Sequence, residues 1–152
     1  MNPFSKFNSY VVCLLAQATL ICLMVLSGCG GSTSEPTAKE VNTQKLIANT
    51  WKLNTVTVDA VDKTVIYAGL SVKFTATSYT STSGGVVWPA SGTWSFTDEA
   101  GKIIKRNDNQ EITITEISDT ALKLTLTRTQ GTIGPGRIES VAGVHVFSLV
   151  KQ

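Results

Sequence analysis

The chain has few of the residues that catalysis uses most. Among its 152 residues there is one histidine, His145, and no cysteine after Cys29. These absences leave no Cys–His nucleophilic pair and no zinc site built from cysteine and histidine. A Ser–His–Asp arrangement would need His145, and the chain contains no Gly-x-Ser-x-Gly segment. We therefore expect no catalytic residue, no metal site and no cofactor, and we predict that the protein is not an enzyme.

Charged residues are also scarce, at 16% of the chain, with a formal net charge of +2. A small basic cluster, Lys102, Lys105 and Arg106, follows a turn and reads as a solvated hairpin rather than a nucleic-acid surface. Gly84-Gly85 and the glycines of 134–136 open no helix and precede no Gly-Lys-Ser/Thr, so they are not phosphate loops. We expect no nucleic-acid partner.

The first 29 residues have the pattern of an export signal. A short segment with one positive charge, Lys6, precedes an almost wholly apolar run over 11–26. This run is shorter than the roughly 20 residues that cross a bilayer as a helix, although an uncleaved anchor stays the alternative. The run ends in Leu26-Ser27-Gly28-Cys29, which resembles the lipobox of bacterial lipoproteins. That resemblance implies a signal peptide over 1–28, removed in the mature protein, and a diacylglycerol (palmitate-type chains) on the sulfur of Cys29.

The resemblance also implies where the protein is found. A diacylated cysteine brings two acyl chains, and each buried methylene contributes about 0.8 kcal/mol, so the attachment is firm. Gly30 follows Cys29, whereas an aspartate there is associated with inner-membrane retention in enteric bacteria. We therefore expect a lipid-anchored protein of the cell envelope, with the outer membrane favoured over the inner one.

Behind the anchor we expect a flexible tether over 29–45 and one domain over 46–152. Residues 30–43 are mostly Gly, Ser, Thr, Pro, Glu and Lys, a composition that buries too little surface to fold. Residues 41–49 are open to a short helix or turn, with Leu46 in its apolar part. The remaining residues, about 105, suffice for one hydrophobic core and not for two.

The domain has the period-two pattern of β-strands. Apolar residues alternate most clearly at Leu70/Val72/Phe74, at Ile112/Ile114 and at Leu122/Leu124/Leu126. The pattern also predicts strands at 65–67 and 86–88, and no helix after residue 48. Eight or nine short strands joined by tight turns indicate an all-β, antiparallel fold, either a sandwich or an up-and-down barrel. We favour the barrel because its closure removes exposed sheet edges.

Four segments carry a resemblance to a known class. They are Asn49-Thr50-Trp51-Lys52-Leu53, Val72-Lys73-Phe74, Gly92-Thr93-Trp94-Ser95-Phe96 and Val146-Phe147-Ser148-Leu149-Val150. They resemble the lipocalin-like domains of lipoproteins in Gram-negative bacteria, many of which have no assigned function. The resemblance implies a lipocalin-like barrel of about eight strands. The chain has Asn49-x-Trp51 where true lipocalins carry Gly-x-Trp, and a transport function does not follow from the fold.

The large apolar side chains raise the question of whether the barrel is open. We expect six of them to face inward: Trp51, Phe74, Trp94, Phe96, Leu124 and Phe147. They either fill a narrow barrel or line a cup for one ligand.

Three residues are ligand-binding candidates. Trp88, beside Pro89, is expected to be exposed at a rim, and Arg137 lies in a long glycine-rich connection. His145 shares a strand face with Phe147, where it is either a packing residue or a ligand contact. We expect the connections over 81–89 and 129–143 to form one end of the barrel.

Two functions follow as hypotheses. The first is a non-catalytic binding module for a small apolar or sugar-like ligand at the barrel mouth. The alternative is an accessory or inhibitory protein-interaction subunit with a filled barrel. The expected partners are the membrane, through the lipid on Cys29, and either a small hydrophobic or carbohydrate ligand or an envelope protein.

Overall fold

In the computed structural model, which describes residues 34–129 and 142–152, an α-helix is followed by nine β-strands. The elements are α1 (Ala38–Ala48), β1 (Thr50–Val58), β2 (Val61–Asp62), a 3₁₀ helix (Thr64–Tyr67), β3 (Ser71–Phe74), β4 (Ser78–Thr82), β5 (Ser91–Phe96), β6 (Ile103–Arg106), β7 (Glu111–Ile117), β8 (Ala121–Arg128) and β9 (Gly143–Lys151). Cys29 and Arg137, and with them the predicted signal peptide and lipid, lie outside the described residues. Within those residues, no helix is long and apolar enough to cross a membrane.

The strands close into an antiparallel barrel. Each of β3 to β8 pairs with the next strand along the chain, and β1 pairs with β3 on one side and with β9 on the other. The β1–β9 pairing runs from Trp51 opposite Lys151 to Val58 opposite His145. The two-residue β2 adds to the end of β1, so eight strands form the barrel wall. The predicted all-β, up-and-down barrel is confirmed.

The barrel has two different ends, because successive strands alternate in direction. The first, the helix end, carries α1 and the connections 75–77, 97–102 and 118–120. The second, the loop end, carries the 3₁₀ helix, the connections 83–90 and 107–110, and the strand ends Arg128 and Gly143 that flank the long connection. Both connections singled out in the sequence therefore leave the barrel at the loop end.

The interior follows the period-two pattern. Leu122, Leu124 and Leu126 of β8 are at most 2% exposed, and β7 and β9 alternate in the same way. Five of the six side chains expected inside are buried: Trp51, Phe74, Trp94, Leu124 and Phe147. Phe96 is only partly buried and packs edge-on against the ring of Trp94, at 5.1 Å between ring centres.

The helix begins earlier than the sequence suggested. Thr37 and Glu40 form a capping box, in which the Thr37 hydroxyl accepts from the backbone of Glu40 and the Glu40 carboxylate accepts from the backbone of Thr37. Asn42 donates to the carbonyls of Ala100 and Gly101, and the indole Nε1 of Trp51 donates to the carbonyl of Leu46 at 2.9 Å. Residues 38–45, expected to belong to a flexible tether, are therefore helical and packed on the helix end.

Two expected strands are turns instead. Residues 65–67 lie in the 3₁₀ helix, which begins where the Asp62 side chain accepts from the backbone of Thr64. Residues 86–88 lie in a turn closed by a bond from the Trp88 backbone N–H to the Gly84 carbonyl at 3.1 Å, and β5 starts only at Ser91. In both places a local hydrogen bond turns the backbone away from the sheet.

Candidate functional site

Trp88 occupies the interior of the barrel at the loop end. Its side chain is 1% exposed, so the expectation that it stands at an exposed rim is wrong. Its ring lies edge-on to Phe74 of β3, Tyr79 of β4 and Phe147 of β9, at 6.3, 5.8 and 6.1 Å between ring centres. The turn that carries it is tight: a Cβ on Gly84 would lie 2.3 Å from the Cβ of Trp88. Glycine at 84 therefore lets the turn direct the indole inward.

Arg106 is buried beneath the same indole. Its side chain points inward from β6, and the residue is 2% exposed. The guanidinium lies 5.2 Å from the ring centre of Trp88 and 5.7 Å from that of Tyr79, which is cation–π geometry. Its Nη1 donates to the Val87 carbonyl at 2.8 Å, and Nε donates to Asp108 at 3.1 Å.

Asp108 balances part of this buried charge. Burial acts to raise the pKa of Asp108, but the hydrogen bond and the charge of Arg106 outweigh burial and hold the pKa below its usual value. The prediction of a solvated basic hairpin is therefore confirmed for Lys102 and Lys105, which are exposed, and wrong for Arg106.

A second arginine holds the same turn. Arg128, at the end of β8, donates from Nη1 to the Val86 carbonyl at 3.1 Å, so consecutive carbonyls of the turn are bound by arginines from two strands. Two buried N–H groups beside these contacts have no hydrogen-bond partner within residues 34–129 and 142–152: Nε of Arg128 and Nε1 of Trp88. The other two tryptophans differ, because their Nε1 groups donate to backbone carbonyls. Buried donors without a partner are rare in folded proteins.

His145 lies fully buried on the inner face of β9, on the side that Phe147 and Leu149 share, as the sequence indicated. Its Nδ1 lies 3.2 Å from the Gly143 carbonyl and its Nε2 3.1 Å from the Tyr67 hydroxyl. Since a carbonyl only accepts, Nδ1 carries the proton and Nε2 accepts from Tyr67. Desolvation lowers the pKa of His145, so the ring is neutral near pH 7.

The surface of the loop end is rich in apolar side chains. Val65 and Ile66, neighbours in the 3₁₀ helix, are 88% and 55% exposed. Three further exposed valines belong to this end by their place in the fold: Val61, Val86 and Val144. Exposed apolar side chains gathered at one end are typical of a contact surface.

A polar groove of about 390 Å³ lies at the same end, where β7 and β8 separate beyond the Thr113–Thr125 pair. It is lined by Asn109, Gln110, Glu111, Thr113, Thr125, Leu126 and Thr127. The Gln110 amide donates to the Thr127 carbonyl at 3.1 Å and so bridges the two strands where the ladder stops.

The sequence reading missed Arg106, Asp108, Arg128 and Tyr67 as parts of this site. One signal was present for the arginines: Arg106 stands two residues after Ile104, and Arg128 two residues after Leu126, so both continue an inward-facing series. Nothing in the sequence identified the carbonyls of Val87 and Val86 as the partners of Arg106 and Arg128, because those contacts depend on how a distant turn folds.

No family model, no curated protein and no solved structure matches this chain. Its fold and interior define it as an eight-stranded, closed antiparallel barrel, consistent with a lipocalin-like fold and containing a buried aromatic cluster. Among the residues that the structure describes, no group of three or more His, Cys, Asp or Glu side chains could hold a metal ion.

Proposed function

We propose that this protein is a lipid-anchored, non-catalytic component of the cell envelope whose barrel is filled by its own side chains, and that it acts as an accessory or inhibitory subunit through its loop end. The observation that carries the proposal is the position of Trp88. Its indole contacts side chains of β3, β4, β6 and β9, which are spread around the wall, so it takes the space that a ligand in an open cup would need.

The surface supports the choice of the loop end. Val65, Ile66 and Val61 are exposed there, whereas the helix end is covered by α1. Val86, also exposed at this end, lies in a turn that is held by Arg106 and Arg128, so this part of the surface is fixed before any partner binds. Preorganisation of this kind lowers the entropy cost of association.

A crosslinking experiment in native membranes tests the proposal. A photo-crosslinking amino acid at Val65 should give one defined protein adduct, whereas the same amino acid at Lys151, exposed at the helix end, should not give that adduct. Equal adducts from both positions, or none from Val65 and Val61, would refute the proposed role of the loop end.

The anchor is tested separately by intact mass. The membrane-extracted protein should begin at Cys29 and carry acyl chains on its sulfur, and Cys29→Ala should be released from the membrane while its domain still folds. A mass that retains residues 1–28, or an unmodified Cys29, would contradict the lipoprotein assignment.

A second candidate function is the binding of a small sugar-like ligand at the loop end. The groove between β7 and β8 favours it, because hydroxyl, amide and carboxylate groups line it and can exchange hydrogen bonds with sugar hydroxyls. Glu111→Gln with Thr113→Val should abolish such binding in a glycan array. A small apolar ligand would instead need Trp88 to leave the interior.

A further inference from the structure

Two unpartnered donors at the loop end point to an acceptor that the described chain does not supply. Nε of Arg128 and Nε1 of Trp88 are both buried, and both belong to the group of contacts around the turn 84–88. Leaving a buried donor without a partner has a cost in stability, because the donor gives up its hydrogen bond to water and gains none in return. If residue 88 served only to fill this end of the barrel, a phenylalanine there would do so without leaving a buried N–H group unpaired.

The charge of this region points to a negatively charged acceptor. Arg106 has a carboxylate partner in Asp108, whereas Arg128 has no carboxylate partner in the described part of the chain and donates from Nη1 to the neutral carbonyl of Val86. His145 is neutral and contributes no charge. The positive charge of Arg128 therefore lacks a nearby carboxylate in the described residues, and its Nε–H group lacks an acceptor.

We propose that the loop end contains an oxyanion site, in which Nε of Arg128 and Nε1 of Trp88 donate to the oxygens of one carboxylate or phosphate group. Hydrogen bonds between a charged donor and an oxyanion are about twice as strong as those between neutral groups. Arg106 lies behind the indole of Trp88 and adds positive potential without using the same N–H groups. The site rests on the proposed function in one respect: it gives the chemistry of the group that a partner would place at this end.

The three tryptophans make the site observable in solution. In a ¹H–¹⁵N spectrum of the protein, the indole signals of Trp51 and Trp94 report N–H groups that are already hydrogen-bonded, and that of Trp88 reports a free one. Sodium acetate or sodium phosphate, at ionic strength matched with sodium chloride, should move the Trp88 signal downfield and saturably, with a dissociation constant of about 1 mM or lower. The signals of Trp51 and Trp94 should stay in place.

Two variants and a control decide the assignment. Arg128→Gln removes the charge, and Trp88→Phe removes one donor while it keeps an aromatic ring and the Arg128–Val86 bond; each should weaken anion binding about tenfold or more. Lys105→Gln removes the same charge from the outer face of β6 and should change nothing. For Trp88→Phe, binding is followed through the backbone signals of residues 86–88.

The results of this anion titration can be distinguished from those of the crosslinking experiment at Val65. Tighter binding of acetate would identify the carboxylate of a partner's chain as the natural group, and tighter binding of phosphate would identify a phosphorylated ligand; either supports the site. No saturable shift, a parallel shift of all three indoles, or unchanged affinity in both variants would overturn it. The crosslink from Val65 would be unaffected by that failure.

Discussion

At the scale of single residues, Trp88 and the groups around it determine how the interior of the barrel is packed. Its indole lies between three aromatic rings and a buried guanidinium, so it is part of the packed interior. Its turn is bound by Arg106 and Arg128 from strands that are far apart in the sequence. Trp88 therefore acts as a core residue, although it is carried on a loop.

We expect Trp88→Ala to lower the free energy of unfolding by about 3–5 kcal/mol, because it removes a large buried ring and leaves a cavity at the barrel axis. Urea denaturation followed by circular dichroism measures this difference. Val86→Ala, in the same turn but exposed, should change the free energy by less than about 0.5 kcal/mol. Equal effects of the two substitutions would mean that Trp88 is not part of the core.

His145 gives the protein a specific dependence on pH. Burial lowers the pKa of His145 in the folded state below the value of 6.5 that applies in the unfolded chain. As the pH falls below about 6.5, His145 binds a proton in the unfolded chain but not in the folded protein. The free energy of unfolding therefore decreases as the pH falls. Stability against urea should therefore decrease between pH 7.5 and pH 5.5.

The control for this prediction is His145→Gln, whose stability should be nearly flat between pH 7.5 and pH 5.5. Asp98 and Asp108, whose pKa values are lowered in the fold, titrate below this window and do not interfere. A wild-type profile as flat as that of the variant would contradict the neutral, buried state of His145.

At the scale of elements, the strands were more predictable than the connections between them. β3, β7 and β8 follow from period two alone, because each has one buried and one solvated face. The turn at 84–88 and the 3₁₀ helix contain apolar residues as well, and their sequences read as strands. Besides the local bonds that turn the backbone there, groups from other elements hold both segments: the Thr64 hydroxyl accepts from the Val56 backbone, and arginines bind the carbonyls of Val86 and Val87.

The helix α1 is a structural part of the domain, which a composition argument could not show. Its polar residues resemble a tether, but Leu46 is fully buried and its carbonyl accepts from Trp51. Gly101 adopts a φ of +63°, and a Cβ there would lie 2.7 Å from the backbone of Lys39, so the turn 97–102 and the helix fit closely.

A chain that begins at residue 34 should therefore be as stable as a chain that begins at Cys29, whereas a chain that begins at residue 49 should unfold at markedly lower temperature. Within the first of these, Leu46→Ala should cost about 2–5 kcal/mol, since it removes a fully buried side chain. Gln44→Ala, at an exposed position of the same helix, is the matched control. Thermal unfolding of these chains measures the differences; equal melting temperatures for the chains that begin at residues 34 and 49 would mean that the helix is not part of the domain.

At the scale of the whole molecule, closure of the barrel separates the role of the wall from that of the two ends. The pairing of β1 with β9 leaves the barrel wall without a free edge, so the ends carry whatever distinguishes this protein from other barrels. The helix end carries α1, and the loop end carries exposed valines and two donors that have no partner among the described residues. The barrel could be predicted from the sequence. The side chains that fill its loop end could not, because their positions depend on contacts among four strands and two turns.

The interior of the barrel is filled by the protein's own Trp88. Nuclear Overhauser contacts in the protein purified from the cells that produce it, in mild detergent and without lipid exchange, measure this directly. Contacts are expected between the indole protons of Trp88 and the ring protons of both Tyr79 and Phe147. A Trp88 ring that shows no contact with Phe147, with the signals of a bound molecule in its place, would contradict the account.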